Sequence, residues 1–256
     1  MAQNLYFYKN STAKLICLLI ILFLSNSAIA QTCKENQQKI WSGIGGKSNW
    51  EKTRYLTFSF SVINSGKKVF SRKHVWDRYS GDYRLEYIGK DSSKIISLFN
   101  VNTKKGEIFR DGKLIENDSL KQNLLKKSYN SFINDTYWLL MPVKLEDLGV
   151  VCTPLSDTVI NSILCHRSGI RFETGIGNTS GDYYEIFINS KNNEIIRWKY
   201  LLEGDKESEI YDWKPYDDIG GLRLSLSKKS LNKEFEINME DAKILEKLDL
   251  TVFSKP

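Results

Sequence analysis

Few residues of this chain have the types and the spacing that catalysis needs. The chain has two histidines, His74 and His166, and the second directly follows Cys165. Because neighbouring side chains on a strand point to opposite faces, Cys165 and His166 cannot form a nucleophile–base pair with each other. No G-x-S-x-G, H-E-x-x-H, C-x-x-C or phosphate-loop motif occurs, and the acidic residues lack a recognisable metal-ligand spacing. We therefore predict that the protein is not an enzyme and has no catalytic residue, metal site or cofactor. Substitution of His74 by alanine would test this prediction.

A row of basic residues on one predicted strand is suited to binding an anionic group. Arg72, His74 and Arg78 share a face with Phe70 and Trp76. Such a row could contact the phosphate or carboxylate head group of a ligand at the mouth of a cavity. Alternatively, these basic residues stack on aromatic rings or pair with an acidic residue across the next turn.

Aromatic side chains are frequent on the predicted strands, and aromatic residues make up 12% of the chain. They either fill the core of a curled sheet or line an open cavity for an acyl chain or another apolar ligand. The candidates for the wall of such a cavity are Phe58, Phe60, Phe70, Trp76, Trp138, Trp198 and Trp213.

The four cysteines allow more than one interpretation. Cys17 lies in the apolar stretch near the start, and Cys33 follows a small-residue segment that ends at Ala30. Cys152 and Cys165 flank a polar stretch between two apolar segments, so they could form a disulfide across a hairpin or remain two buried free thiols. Lipidation of Cys33 is disfavoured because Thr32 precedes it, where a bacterial lipoprotein needs a small residue.

Most of the chain has the period of two that is typical of strands. Leu56, Phe58, Phe60 and Val62 alternate with polar residues, and similar alternation recurs in about ten short segments separated by turns. One-sided alternation predicts an antiparallel sheet with one buried face. A sheet of this size must curl around its own helices, a second sheet or a ligand.

Helical spacing is limited to two stretches, 34–43 and 117–134. Residues 137–141 are apolar, and Pro142 is expected to stop any helix there. The glycines at 175 and 177 lie between predicted strands with no helix after them, which predicts a loop and not a phosphate-binding turn. The fold class is therefore mainly β with a few helices.

The N-terminal segment has the three parts of a secretory signal peptide. Lys9 and Lys14 precede an apolar run over 15–24, and a small-x-small segment ends at Ala30. The run is too short to span a bilayer, which needs about 20 residues. We predict a signal peptide over 1–30 that is cleaved after Ala30, a single domain over 31–256, and a periplasmic or secreted protein.

The bulk composition fits a folded monomer. Hydrophobic residues are 41% and charged residues 27% of the chain, with a formal net charge of +6. The basic residues are interspersed with acidic ones and form no block, which argues against nucleic-acid binding. A mild preference for an anionic membrane surface is compatible with this charge.

Five segments, at 71–86, 98–113, 132–150, 181–200 and 211–225, resemble a family of secreted Gram-negative bacterial proteins of unknown function. That family is similar in fold to the LolA/LolB/LppX group of lipoprotein and lipid carriers. The resemblance implies a LolA-like unclosed half-barrel over the mature chain, made of a large curved antiparallel sheet with helices on its concave side. It also implies an acyl-chain cavity between sheet and helices. Leu148 departs from the family, which tends to have proline there.

Two functions follow from these patterns. The first is an exported periplasmic carrier or sensor that binds a lipid, or the acyl chain of a lipoprotein, in an apolar cavity. The second is a non-enzymatic interaction module of the cell envelope whose core is filled by its own side chains.

Overall fold

A computed structural model describes residues 33–173 and 181–256 of the chain. The predicted signal peptide, its cleavage site and the predicted loop at 175–177 lie outside the described residues. Within them, no helix is both long enough and apolar enough to cross a membrane.

Among the described residues, thirteen strands form one antiparallel sheet. The strands of its first half are β1 (Tyr55–Asn64), β2 (Lys67–Asp77), β3 (Asp82–Ile88), β4 (Lys94–Asn100), β5 (Gly106–Arg110) and β6 (Lys113–Leu114). The strands of its second half are β7 (Val150–Ile160), β8 (Ile163–Phe172), β9 (Tyr183–Asn189), β10 (Ile195–Leu201), β11 (Glu209–Trp213), β14 (Ser227–Ser230) and β15 (Phe235–Leu245). Their order in the sheet is β6-β5-β4-β3-β2-β1-β15-β14-β11-β10-β9-β8-β7, and the sheet is not closed, because β6 and β7 form its two edges.

The two halves meet where the first strand pairs with the last. Strand β1 lies between β2 and β15, with Phe60 opposite Arg72 on one side and Met239 on the other. A separate two-stranded sheet joins β12 (Tyr216–Asp218) and β13 (Arg223–Ser225). The alternation seen in the sequence produces this arrangement, since Leu56, Phe58 and Phe60 are all buried on one face.

In the part of the chain that the structure describes, three α-helices and one short 3-10 helix accompany the sheet. Helix α1 includes residues 33–43, α2 is Lys47–Lys52, and α3 is Asp118–Lys144; Leu250–Phe253 form the 3-10 helix. Asn117 caps α3, because its side chain accepts a hydrogen bond from the backbone N–H of Leu120 at 2.9 Å. The prediction that Pro142 stops any helix is wrong, since α3 continues to Lys144. Pro142 removes the hydrogen bond that an N–H would donate to the carbonyl of Trp138, and burial of Leu139, Leu140, Met141 and Val143 in the core offsets this loss.

Helix α3 packs against the buried face of the sheet through two clusters. Leu124, Leu125 and Phe132 in its first part contact Tyr83 and neighbouring residues of β3, β4 and β5. Its second part contributes Leu139, Leu140, Met141 and Val143 to a larger core with α1, β1 and β8–β11. The predicted fold class, a large unclosed antiparallel sheet with helices on its concave side, is therefore confirmed.

Neither interpretation of Cys152 and Cys165, a disulfide between them or two free thiols, is correct. Cys152 is bonded to Cys33 of α1, with a Cα–Cα distance of 6.1 Å, while Cys165 is a buried free thiol. Cys165 pairs with Thr158, six residues farther along β7 than Cys152. Six residues of extended strand span about 20 Å, which no disulfide can bridge. The bond to Cys152 also leaves Cys33 no thiol for lipidation.

Candidate functional site

A cavity of about 450 Å³ lies between the second part of α3 and strands β8, β9 and β10. Its volume falls in the range of known small-molecule sites. The lining residues are Ile133, Asn134, Tyr137, Trp138, Lys144, Asp147, Leu148, Val150, Phe172, Tyr184, Trp198, Tyr200 and Leu202. Six of these thirteen are aromatic, so the wall is mostly apolar but carries phenol and indole groups.

The secondary structure fixes the aromatic wall from two sides. Trp198 and Tyr200 are two residues apart on β10 and therefore share a face, and Tyr184 of β9 pairs directly with Tyr200. From α3, Trp138 contacts Trp198 with ring centroids 4.7 Å apart, and Tyr137 contacts Trp198 at 5.6 Å. Tilted and edge-on rings packed this closely hold one another in place. The contacts between these rings therefore fix the shape of the wall.

The mouth of the cavity is exposed and contains one cation and one anion. Asn134, Asp147, Leu148 and Leu202 are exposed, and Leu148 is 89% exposed. The Nζ of Lys144 lies 3.7 Å from Oδ2 of Asp147, and the Lys144 side chain is only 20% exposed. Burial lowers the pKa of the Lys144 ammonium, and Asp147 opposes this only in part. An apolar chamber with a poorly solvated ammonium at its entrance suits an amphiphilic ligand.

Two of the seven aromatic candidates, Trp138 and Trp198, line this cavity. Phe58, Phe60 and Trp213 are at most 3% exposed and belong to the packed core. The structure places the remaining two, Phe70 and Trp76, as partly buried residues packed against that core. The sequence pattern selected aromatic residues on the correct face but did not separate cavity from core.

The three basic candidates do not form one row. Arg72 and His74 meet at Asp135 of α3, and His74 is fully buried with Nε2 3.0 Å from Oδ2 of Asp135. The Nδ1 of His74 lies 2.7 Å from the hydroxyl of Tyr83. Burial lowers the pKa of His74 and outweighs the effect of Asp135. These contacts join helix α3 to the sheet.

Arg78 lies apart from that group. Its guanidinium stacks on Trp50 at 3.5 Å from the ring centroid and donates hydrogen bonds to the backbone carbonyls of Trp50 and Thr53. It therefore anchors the end of α2 to the turn after β2.

Sequence reasoning missed Lys144, Tyr137, Phe172 and Tyr184 as lining residues. The helix predicted from the sequence ends at residue 134 and therefore does not include Tyr137 and Lys144. The apolar residues at 137–141 continue the helical spacing of 124–133, and this continuation was the available signal. Phe172 and Tyr184 lie on the same face as Trp198, but only strand pairing reveals this.

A second cavity of about 250 Å³ lies beside the disulfide. It is lined by residues of α1 and β8, including Asn36, whose side-chain amide donates a hydrogen bond to Ser168 at 3.0 Å. No group of three or more potential metal ligands occurs in 33–173 or 181–256.

No family model matches the chain, and no curated protein matches it. Its structure is similar to a DUF1329 family protein from Desulfovibrio piger, with 10% identity, a TM-score of 0.48, and coverage of 86% of this chain and 96% of that one. It is also similar to a LolA superfamily protein from Nitrosomonas europaea, with 8% identity, a TM-score of 0.48, and coverage of 89% and 98%.

The lipoprotein LppX of Mycobacterium tuberculosis is a third similar structure, with 8% identity, a TM-score of 0.29, and coverage of 84% of this chain and 98% of that one. At these identities and TM-scores the similarity concerns the fold and carries no argument about the site. A LolA superfamily protein, from the group that the sequence resemblance named, is thus among these similar structures.

Proposed function

We propose that this protein is an exported, non-enzymatic binding protein that carries or senses a lipid or the acyl chain of a lipoprotein. The single observation that supports this proposal is the aromatic cavity between α3 and strands β8–β10. The export step of this proposal rests on the signal peptide predicted from the sequence, and the proposed place of action is the periplasm or the cell exterior.

The cavity is suited to an acyl chain for energetic reasons. Burial of each methylene contributes about 0.8 kcal/mol, so a chain of about ten methylenes gains roughly 8 kcal/mol before the costs of association. The packed rings of Trp138, Trp198 and Tyr184 restrict rearrangement of the wall, which keeps those costs low. Tight binding therefore needs no covalent chemistry.

The second candidate function is a cell-envelope interaction module whose core is filled by its own side chains. It is favoured by the first half of the molecule, where Phe132 and Leu125 of α3 pack onto Tyr83 and Phe99. This part of the concave side is occupied by side chains of the chain itself.

Native mass spectrometry of the protein isolated gently from the periplasm separates the two functions. The carrier function predicts a discrete added mass that solvent extraction releases as a fatty acid or phospholipid, or uptake of such a lipid when it is offered. A bare protein mass that stays bare in the presence of offered lipids would exclude the carrier function and leave the interaction module.

A further inference from the structure

The position of Lys144 gives the cavity a charge preference, and this inference rests on the proposed function. Lys144 is the single basic residue among the lining residues that the structure describes. It lies in the last turn of α3, and its ammonium is beside Asp147 at the mouth.

The pairing of Lys144 within the protein is weak. The distance of 3.7 Å to Asp147 is longer than that of a charge-assisted hydrogen bond, which is about 2.7–2.9 Å. The Asp147 side chain is 60% exposed and can turn to solvent, whereas that of Lys144 is 20% exposed. An ammonium that is largely removed from water and incompletely paired gains free energy from a closer anion.

The groups near Lys144 include another positive charge and few anions that could compete with a ligand for its ammonium. Arg78 is close enough that its charge lowers the pKa of Lys144 further. The other residues of the mouth, Asn134, Leu148 and Leu202, are uncharged. Asp147 is therefore the internal competitor for an anion that approaches Lys144.

We propose that the cavity binds amphiphiles with an anionic head group, a carboxylate or a phosphate monoester, whose oxygen takes the place of Asp147 at Lys144. The acyl chain occupies the aromatic chamber, and the head group stays at the exposed mouth. A free fatty acid supplies the carboxylate, and a lipid that ends in a phosphate monoester supplies the phosphate.

Calorimetric titration of the full exported chain with dodecanoate, dodecyl phosphate and dodecanol, at pH 8, tests the proposal. The three probes share one chain length and differ in the head group. We expect either anion to bind at least about tenfold more tightly than dodecanol, as one charge-assisted contact allows. The anion with the higher affinity identifies a fatty acid or a phosphate head group as the source.

Three variants assign the preference to Lys144. In Lys144→Met the anion preference should disappear while dodecanol affinity stays within about twofold, because the stem is retained. Asp147→Asn should increase anion affinity several-fold by removing the competitor. Lys127→Met is the matched control, since Lys127 is exposed on the same helix and should leave the preference unchanged.

Equal affinity of the wild-type protein for all three probes would overturn the head-group proposal while leaving the proposed function intact. A loss of dodecanol and anion binding to the same extent in Lys144→Met would also overturn it, by showing a structural role for the lysine. Absence of binding for every probe would overturn the proposed function itself.

Discussion

Arg72 on strand β2 and Asp135 on helix α3 form a two-point ion pair, with Nε 2.6 Å from Oδ2 and Nη2 2.6 Å from Oδ1. The Asp135 side chain is fully buried and that of Arg72 is 18% exposed. The pair fixes the middle of α3, between its filled first part and the second part that lines the cavity. Loss of this ion pair should therefore both destabilise the protein and alter the position of the part of α3 that lines the cavity.

Arg72→Met is expected to destabilise the protein by about 3–5 kcal/mol, because it leaves the Asp135 carboxylate buried without its strongest partner. Urea denaturation followed by circular dichroism measures the change. Lys68→Met on the same strand is the control, since Lys68 and Glu240 form an exposed pair whose loss costs about 0–1 kcal/mol. Equal effects of the two substitutions would contradict the importance of the buried pair.

Lys228→Met is expected to stabilise the protein at neutral pH. Lys228 is fully buried in the main core beside Trp213, and burial lowers its pKa to about 7. Because the folded pKa lies below the unfolded one, the penalty for this lysine is complete below pH 7 and declines as pH rises. It disappears above about pH 10.5.

The pH-dependent part of the increase in the free energy of unfolding of Lys228→Met should be roughly 3–5 kcal/mol at pH 7, and it should vanish by pH 11. Urea denaturation across this pH range measures it, and Lys229→Met, at the exposed neighbouring position, should show no such dependence. If the increase in the free energy of unfolding did not change with pH, Lys228 would have the same pKa in the folded and the unfolded protein, which would contradict this prediction.

Loss of the Cys33–Cys152 disulfide should lower the free energy of unfolding by about 2–5 kcal/mol, because the bond closes a loop with a sequence separation of 119. Cys33→Ser and chemical reduction of the wild-type protein should give the same decrease, and reduction should have no effect on Cys33→Ser. Peptide mapping should find Cys33 joined to Cys152, and Cys165 should react with an alkylating agent only after unfolding. A Cys152–Cys165 peptide would contradict the structure.

Val150→Trp should weaken dodecanol binding at least tenfold, because Val150 lines the cavity and the larger side chain fills it. Val151→Trp is the matched control, since the next residue of the strand points to the other face and is 44% exposed. Titration calorimetry compares the two variants. Unchanged binding in Val150→Trp would place the ligand elsewhere.

The sequence was sufficient to predict the sheet, because the side-chain alternation of strands such as β1 depends only on local order. The sequence underestimates the extent of α3, because the helix continues past Pro142. Burial of Leu140, Met141 and Val143 in the core outweighs the hydrogen bond that the proline removes, and this burial depends on tertiary contacts. The ion pair of Arg72 with Asp135 joins residues that are 63 positions apart, and no local sequence pattern predicts it. The separation of Trp198, at the cavity, from Trp213, in the core, likewise depends on where α3 crosses the sheet.

The disulfide also changes how the molecule would respond to mechanical force. A load applied to residues that precede Cys33 reaches Cys152 through the covalent bond, so the segment between them is shielded from extension. In a single-molecule pulling experiment the oxidised chain should release less contour length than the reduced chain. For a separation of 119 residues, at about 3.3–3.6 Å per residue, the difference is roughly 40 nm.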